Sequence, residues 1–324
     1  MTEDKKRLIV IDSNALIHRA YHALPPLTTK KGELVNAIYG FLLVFFKAIK
    51  EFQPDFIAAT FDFPAPTFRH QKYKLYKAHR EKAPEELYQQ IPKVKEILEN
   101  FNVQIFEKEG YEADDLIGTI SKLASTPLFS PKRGGPEIET IILTGDLDAL
   151  QLVDKNTKVY TLRKGVKDTV LYDKEKVKEK YQGLTPAKLI DFKALRGDPS
   201  DNIPGVFGVG EKTAIALIKE FGSLENLYKE LEGDTEKAKK IKQSLRKKLL
   251  DHKEQAFVSK MLVEIKLDAP VDFNLEKCRW GEYDKEKVAQ IFKNYEFQTL
   301  LKRLPGEKNE KIGDKKIKNN LSLW

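Results

Sequence analysis

The chain has a single cysteine, Cys278, among its 324 residues. A lone thiol cannot form a disulfide framework or a thiolate zinc site, and this usage is typical of a reducing cell interior. Long apolar runs are also missing, because the longest, residues 37–46, is too short to span a bilayer and instead predicts a buried helix. Residues 1–7 are charged and lead directly into a strand, unlike a secretory signal peptide. We therefore expect neither a membrane partner nor a disulfide-stabilised scaffold.

The chain carries an excess of positive charge, with 57 Lys and Arg residues against 49 Asp and Glu and a net charge of +8. A basic chain that also contains clustered acids indicates a polyanionic partner together with a local cation site. At 41% hydrophobic and 33% charged residues, the composition suits a soluble globular protein with one large or two ordinary domains.

Acidic side chains recur where predicted strands end. Apolar runs of strand length lie at residues 7–12, 55–62, 103–106 and 140–145. The acids that end or follow these runs are Asp12, Asp62, Glu112, Asp114, Asp115, Asp146 and Asp148. Strands that alternate with helices predict a parallel sheet whose carboxyl ends share one edge, so we expect these acids to lie close together. The alternatives are a helix N-cap for Asp12 and a charged first helical turn for residues 112–115.

Cations and aromatic residues alternate over residues 67–82. Lysine and arginine interleaved with tyrosine can contact phosphates and stack on bases, so this segment is a candidate nucleic-acid contact. The alternative is a solvated, charged helix.

A second acidic pair, Asp198 and Asp201, is followed directly by glycine-rich sequence. The glycines are Gly205, Gly208 and Gly210. They free the backbone to approach a partner closely, and Lys212 and Thr213 then open a helix whose first N–H groups favour an anion. The pattern predicts two helices joined by a phosphate-binding hairpin, with an ordinary helical turn as the alternative.

These nine carboxylates would repel one another strongly around a single crevice. Such a cluster is stable only when its members are protonated or when divalent cations bind between them. Because the ligands are oxygens, without paired His or Cys, the set indicates Mg²⁺ or Mn²⁺ rather than zinc.

Five motifs together point to a family. They are Val10-Ile11-Asp12, Thr60-Phe61-Asp62, Tyr111-Glu112-Ala113-Asp114-Asp115, Thr144-Gly145-Asp146-Leu147-Asp148 and Gly197-Asp198-Pro199-Ser200-Asp201-Asn202. In this order they resemble the 5′-nuclease family, closely the N-terminal 5′→3′ exonuclease domain of bacterial DNA polymerase I and more distantly the flap endonucleases. The resemblance covers residues 7–304. Each motif alone is weak, but five in order are highly specific.

The resemblance implies a fold and an activity. Residues 7–185 would form a PIN-like α/β catalytic core with a mostly parallel sheet, and residues 186–304 a helix–hairpin–helix (helix-3-turn-helix) DNA-binding domain. Residues 305–324 would be a Lys-rich flexible tail or linker. The implied activity is a metal-dependent, structure-specific 5′→3′ exonuclease or flap endonuclease. It would hydrolyse DNA phosphodiesters at 5′ ends, flaps or nicks in replication and repair, including primer removal.

The resemblance also implies roles for individual residues. Two divalent metal ions, Mg²⁺ or Mn²⁺, would be held by Asp12, Asp62, Glu112, Asp114, Asp115, Asp146, Asp148, Asp198 and Asp201. Lys77 and Arg80 would contact the scissile phosphate, where cations offset developing charge. Tyr76 would stack on a terminal base, and K⁺ would bind at the glycine hairpin. The implied DNA contacts are Arg19, Arg69, Tyr76, Gly205, Gly208, Gly210, Lys212 and Thr213.

The implied partners are DNA with a 5′ flap, nick, gap or 5′ end, and a DNA polymerase in cis or in trans. A monomer in the bacterial cytoplasm, associated with the nucleoid, is expected. Two departures are visible: the loop at residues 125–136 is longer than usual for the family, and no polymerase follows the nuclease. A stand-alone nuclease and an excised domain both remain open.

Two other classes of function are alternatives. A non-catalytic duplex-DNA-binding module is disfavoured by the complete acid set, because a pure binder gains nothing by placing acids against a polyanion. A PIN-type ribonuclease is disfavoured by the chain length and by the glycine hairpin at residues 205–214.

Overall fold

Six strands form one sheet in the structure, a computed structural model that describes residues 5–126, 137–162 and 168–305. The strands are β1 (Lys6–Asp12), β2 (Phe56–Thr60), β3 (Gln104–Phe106), β4 (Ile138–Thr144), β5 (Thr157–Leu162) and β6 (Thr169–Tyr172). Their order is β3-β2-β1-β4-β5-β6, and neighbours are parallel except for the antiparallel pair β5 and β6. The predicted mostly parallel sheet is confirmed, with β1 between β2 and β4.

The helices surround this sheet and continue into a helical region in the second half of the chain. They are α1 (Ser13–Ala23), α2 (Asn36–Phe52), α3 (Phe68–Lys72), α4 (Glu85–Tyr88), α5 (Ile91–Asn100), α6 (Ala113–Ala124), α7 (Lys174–Lys180), α8 (Leu189–Arg196), α9 (Glu211–Phe221), α10 (Leu224–Glu232), α11 (Glu236–Lys239), α12 (Gln243–Asp251), α13 (Lys253–Val263), α14 (Lys285–Asn294) and α15 (Gln298–Leu301). Short 3₁₀ turns lie at Asp148–Leu152, Pro186–Lys188, Pro199–Asp201 and Leu275–Cys278.

The sheet is covered on both faces because each central strand contains a continuous apolar run. Leu8 and Val10 of β1 pack in a buried cluster with α6 and the helices from α8 to α13. Ile9 and Ile11 pack in a second cluster with α1, α2, α5 and α14. Successive side chains of a strand point to opposite faces, so one continuous apolar run serves both layers. The carboxyl-terminal edge of the sheet is left for polar residues.

Two segments differ from the helices that their sequences allow, one predicted as a helix and one for which a helix is the alternative. The amphipathic pattern over residues 86–100 predicts one helix, but the chain forms α4 and then α5, with Pro92 in the first turn of α5. Proline lacks the N–H that a continuous helix would need there, so a new helix begins instead. In the basic segment 67–82, only α3 is α-helical, and Lys77 has a left-handed backbone (φ 53°).

The end of the described chain returns to the α/β layers. Phe292 of α14 and Leu300 of α15 pack in the same cluster as α2 and α5, and the Trp280 N–H donates to the Asp55 carbonyl at 2.8 Å. Residues predicted to close the second domain therefore also contribute to the core of the first. Most of the predicted 125–136 loop and almost all of the 305–324 tail lie outside the described residues. Among the residues that the structure describes, no helix is long and apolar enough to cross a membrane.

Candidate active site

Three acids meet at the carboxyl ends of the central strands. Asp12 ends β1, Asp62 follows β2, and Asp146 follows β4. The side chain of Asp12 accepts hydrogen bonds from the Ala15 N–H at 3.1 Å and from Thr144 Oγ1 at 2.6 Å. Asp12 therefore caps α1, as its alternative interpretation predicts, and it is also tied to the end of the neighbouring strand.

The first turn of α6 adds further acids to the same crevice. Asp62 Oδ1 accepts a hydrogen bond from the Ala113 N–H at 2.7 Å, which joins the end of β2 to the start of α6. Asp114 lies in that turn and is repelled by Asp12, Asp146 and Asp148. The structure therefore brings together the acids that the strand-end pattern predicts to be neighbours.

Crowding and burial hold protons on several of these acids. Burial raises the pKa of Asp12 to about 7, with repulsion from Asp62 and Asp146 adding to it. Burial likewise raises the pKa of Asp148 to about 7, and it raises the pKa of Asp114 well above its ordinary value. In the metal-free protein these groups are not all ionised at neutral pH, as expected of a site built for added positive charge.

Asp115 differs from the other acids of its motif because its side chain is fully buried (0% exposed) and its lone pairs are occupied. Its oxygens accept hydrogen bonds from Arg69 Nη1 at 2.7 Å and Nη2 at 2.8 Å, from the Glu112 N–H at 3.1 Å and from the Lys266 N–H at 2.8 Å. A carboxylate offers about four lone-pair sites, so these four donors leave none for an ion. The predicted metal-ligand role of Asp115 does not fit this bonding.

Arg69 is likewise placed away from solvent, at 2% exposed. Besides Asp115, its guanidinium donates to the carbonyls of Leu262 at 2.9 Å and Glu264 at 2.8 Å. The prediction that Arg69 contacts DNA is therefore corrected, because its donors are used inside the protein. It joins the basic segment to α6 and to the chain that follows α13.

Two other cations of the basic segment, Lys77 and Arg80, contact the acids directly. Lys77 Nζ lies 2.9 Å from Glu112 Oε2, and Arg80 forms an ion pair with Asp201. The Lys77 N–H also donates to the Asp201 carbonyl at 2.9 Å. Although burial opposes it, the charges of Lys77 and Arg69 lower the pKa of Glu112.

Tyr76 does not present its ring to solvent, since it is 3% exposed. Its hydroxyl lies 3.1 Å from Glu112 Oε2 and 3.3 Å from Asp201 Oδ2. The predicted stacking on a terminal base is not available in this conformation. The hydroxyl instead contacts Glu112 and Asp201 inside the protein.

A lysine that the sequence patterns did not indicate, Lys193, links the second acidic pair to the acids at the strand ends. Lys193 of α8 forms an ion pair with Asp148, and its Nζ lies 2.8 Å from Asp198 Oδ2. Its two acidic neighbours raise the pKa of Lys193 despite its burial, and Lys193 lowers the pKa of Asp198 in return. The only sequence signal is a lysine flanked by Phe192 and Ala194 on a helix that is otherwise mostly apolar.

The donor set suits hard divalent cations, since the convergent groups are carboxylate oxygens and several of these carboxyls have raised pKa values. In their present positions, however, no three His, Cys, Asp or Glu side chains within the described residues form a group that would hold a metal ion. Several of these carboxylates instead form ion pairs with cations of the protein, namely Lys77, Arg80 and Lys193. An ion bound by Glu112, Asp201 or Asp148 would have to displace the cation that is paired with that carboxylate.

The glycine-rich segment connects α8 to α9 as predicted, but its glycines differ in position. Gly205 is buried, its N–H donates to Ser259 Oγ at 3.1 Å, and a Cβ there would collide with the backbone of Gly197. Its predicted DNA contact is therefore corrected to close internal packing. Gly208 and Gly210 are exposed, and Gly210 is the N-cap of α9.

The other predicted DNA contacts lie in two places. Lys212 is exposed and Thr213 half-buried in the first turn of α9, beside Gly210. Arg19 is half-buried on α1, and its guanidinium donates to the Leu162 carbonyl at 3.2 Å. The hairpin residues form one surface, whereas Arg19 lies at the end of β5.

Comparisons with known proteins agree with this architecture. Residues 7–182 match the 5′-3′ exonuclease N-terminal resolvase-like domain, and residues 184–286 match the 5′-3′ exonuclease C-terminal SAM fold. The helical second region is thereby confirmed as a known fold of this family. The crystal structure of T5 D15 protein with metal ions is similar at a TM-score of 0.64 and 19% identity, covering 80% of this chain and 90% of that one. The catalytic core of Rad2 in complex with DNA substrate is similar at a TM-score of 0.56 and 22% identity, and the match covers 90% of this chain and 88% of that one.

Curated relatives are more similar in sequence. DNA polymerase I of Bacillus subtilis is 42% identical over 98% of this chain and 34% of its own length. DNA polymerase I of Caldicellulosiruptor bescii is 43% identical over 92% of this chain and 33% of its own length. The chain thus spans about a third of the length of the curated relatives that it matches. With both family domains matched in order, the chain belongs to the 5′-3′ exonuclease family.

Proposed function

We propose that this chain is a structure-specific 5′→3′ nuclease that hydrolyses DNA phosphodiesters at 5′ ends, flaps or nicks. The observation that carries the proposal is the convergence of acids from three strand ends, α6 and the start of the helical region on one crevice, with cations at its rim. The relatives' names add the substrate class, because they are DNA polymerases and the catalytic core of Rad2 in complex with DNA substrate. Acids placed against a polyanion have a purpose only when divalent cations lie between them.

Two Mg²⁺ or Mn²⁺ ions are the cofactors that these acids would hold. The ligands we assign are Asp12, Asp62, Glu112, Asp114, Asp146, Asp148, Asp198 and Asp201. Bound divalent ions would supply Lewis-acid activation of a water and charge stabilisation at the leaving oxygen. Asp115 is assigned to positioning, because its contacts with Arg69 and the Glu112 N–H fix the first turn of α6.

Lys77 and Arg80 are the residues we assign to the scissile phosphate. Both lie beside carboxylates of the crevice, so a phosphate bound there would be within their reach. Their positive charge would offset the negative charge that develops on the phosphoryl oxygens. The left-handed backbone at Lys77 is held by its N–H bond to the Asp201 carbonyl, which fixes where this ammonium can reach.

The hairpin after α8 is the proposed duplex-binding surface. The exposed N–H groups at Gly208 and Gly210, with Lys212 and Thr213, would hold a backbone phosphate at the positive end of α9. K⁺ bound at this hairpin belongs to the same proposal. We divide the chain accordingly into a catalytic domain at 7–185, a DNA-binding domain at 186–304 and a linker or tail at 305–324.

The biological setting follows from the relatives. We propose that the nuclease acts with a DNA polymerase, in cis or in trans, in primer removal and repair. A monomer in the bacterial cytoplasm, close to the nucleoid, suits a substrate that is chromosomal DNA.

The test is Mg²⁺-dependent cleavage of a 5′-flap duplex, compared with a blunt duplex and a single strand, with EDTA as the control. Preferred cutting near the flap junction, lost in EDTA, is the expected result. Binding without cutting would replace the nuclease by a DNA-binding module. Cutting of RNA alone would replace it by a PIN-type ribonuclease.

A further inference from the structure

The tip of the glycine hairpin carries an aromatic ring that the proposed chemistry does not use. Phe207 is 73% exposed, the highest value among the large hydrophobic side chains that the structure describes as exposed. Its neighbours Val206 and Val209 are buried, so the ring stands out from a loop that is anchored on both sides.

The backbone holds Phe207 outward by a defined turn. The Val209 N–H donates to the Val206 carbonyl at 3.0 Å, and Gly208 has φ 80° while Phe207 has no positive φ. This is a type II β-turn with Phe207 at its first central position. Proline is common at that position, so turn formation does not call for an aromatic residue there.

Basic side chains frame the ring. Lys248 Nζ lies 5.8 Å from the Phe207 ring centroid, and the His252 ring centroid lies 6.5 Å away. Lys248 crosses directly over the turn, because a Cβ added at Gly208 would meet its Nζ at 2.8 Å. Within the described residues, no carboxylate forms an ion pair with Lys248. We call Phe207, Gly208, Lys248 and His252 the hairpin-tip surface.

A single exposed apolar residue is common and needs no explanation by itself. Here the turn directs the ring outward beside the Lys248 ammonium, which pairs with no carboxylate of the described residues. The glycine of the same loop lets the backbone come close to a partner. Its complement must therefore join negative charge to apolar surface. In duplex DNA the phosphates alternate with deoxyribose, whereas the faces of the bases are closed by stacking.

We propose that Phe207 and Lys248 of the hairpin-tip surface contact the sugar–phosphate backbone of duplex DNA, with the Phe207 ring against deoxyribose and Lys248 on the adjacent phosphate. The inference rests on the proposed function, of which it specifies the duplex-binding site. Phe207 acts as a specificity-determining residue for the double-stranded arm of the substrate. It takes no part in bond cleavage.

The test is fluorescence anisotropy in EDTA, which prevents cleavage, with a blunt duplex and a single strand of the same sequence at several salt concentrations. Phe207→Ala should weaken duplex binding about five- to tenfold, as expected when a partly buried phenyl contact is lost, with an unchanged salt slope. Phe207→Leu should restore most of the affinity. Lys248→Gln should lower the slope of log Kd against log salt by about 0.9, because one phosphate contact is removed.

The matched control is Tyr88→Ala, which removes another exposed aromatic side chain, on α4, and should leave duplex binding unchanged. Thermal unfolding of each variant shows whether the fold is intact. Unchanged duplex affinity of Phe207→Ala would overturn the proposal. An equal loss on duplex and single strand would also overturn it, because the ring would then be a general base-stacking platform.

Failure of the proposed function gives a different result. If the wild-type protein does not cut a 5′ flap in Mg²⁺ but Phe207→Ala still loses duplex affinity in EDTA, the nuclease assignment fails while the duplex contact stands. If the flap is cut normally by wild type and by Phe207→Ala at unchanged KM, the duplex contact fails alone.

Discussion

The buried pair of Arg69 and Asp115 offers a direct test of whether that acid is a metal ligand or a positioning residue. The perturbation is Asp115→Ala. It removes the two carboxylate oxygens that accept hydrogen bonds from the guanidinium, which keeps the carbonyls of Leu262 and Glu264 as acceptors. It also leaves the N–H groups of Glu112 and Lys266 without partners. Arg69 would remain almost fully buried, with the Glu112 carboxylate, 3.8 Å from Nη1, as its remaining ion-pair partner.

The size of the effect follows from this burial. Breaking a buried ion pair by removing one partner costs about 3–5 kcal/mol, because the other charge stays unpaired in a poorly solvated place. We expect Asp115→Ala and Arg69→Met each to lose that much free energy of unfolding. The double variant Arg69→Met/Asp115→Leu should lose less than the sum of the two, since neither charge is then left alone.

The assay is urea unfolding in EDTA, followed by circular dichroism. The matched control is Glu276→Ala, which breaks an Arg–carboxylate pair with Arg279 whose side chains are more than half exposed. Exposed pairs contribute about 0–1 kcal/mol, so the control should change little. If Asp115→Ala were as stable as wild type in EDTA and lost only the stabilisation that Mg²⁺ adds, Asp115 would be a metal ligand and the reasoning above would be wrong.

Three further predictions concern the crevice. Asp146→Ala should abolish Mg²⁺-dependent flap cleavage while leaving DNA binding in EDTA nearly unchanged, and full activity in this variant would refute the metal assignment. Lys77→Ala should slow the chemical step in single-turnover assays by about 10²-fold, as for other groups that stabilise developing charge, and an unchanged rate would exclude a catalytic role. The raised pKa values of Asp12 and Asp148, about 7 in the folded state, mean that the folded protein binds more protons than the unfolded chain between pH 4 and 7. Thermal unfolding in EDTA should therefore show stability falling as pH rises through that window, and Mg²⁺ should stabilise the protein more at pH 8 than at pH 5.5; a stability that rose with pH in EDTA would contradict the raised pKa values.

The position of the acids could be predicted from sequence because it depends on local patterns. Asp12 and Asp62 each end an apolar run, and parallel pairing of those runs is enough to place both at one edge of the sheet. The helical turn that carries Asp114 can be predicted in the same way, since the apolar period of α6 begins directly after it.

Burial of the basic and aromatic residues could not be predicted in the same way. Arg69 and Tyr76 lie in a segment whose composition is typical of a nucleic-acid contact, and composition does not say which side chains turn inward. Arg69 is buried through bonds to residues 193 and 195 positions away along the chain. The burial of Gly205 could not be predicted either, because its packing against Gly197 depends on the path of the chain between α8 and the hairpin, through the turn at Pro199–Asp201.

The lysines and arginines also explain how so many acids coexist in one fold. Glu112 and Asp198 have lowered pKa values because Lys77 and Lys193, respectively, lie beside them. Asp12, Asp114 and Asp148 have raised pKa values. Among these three, Asp148 forms an ion pair with Lys193, so the acids held by protons without an ion pair lie on the side of the crevice formed by β1 and α6.

A metal cation that binds in the crevice displaces a different group on each side. On the side of Asp12 and Asp114 it replaces bound protons, so its binding competes with H⁺ and strengthens as pH rises. On the side of Asp148 and Asp198 it must displace the ammonium of Lys193, which is held by both carboxylates. The free energy of binding a cation therefore differs between the two sides even though both consist of carboxylates, and Lys193 of α8 contributes to that difference.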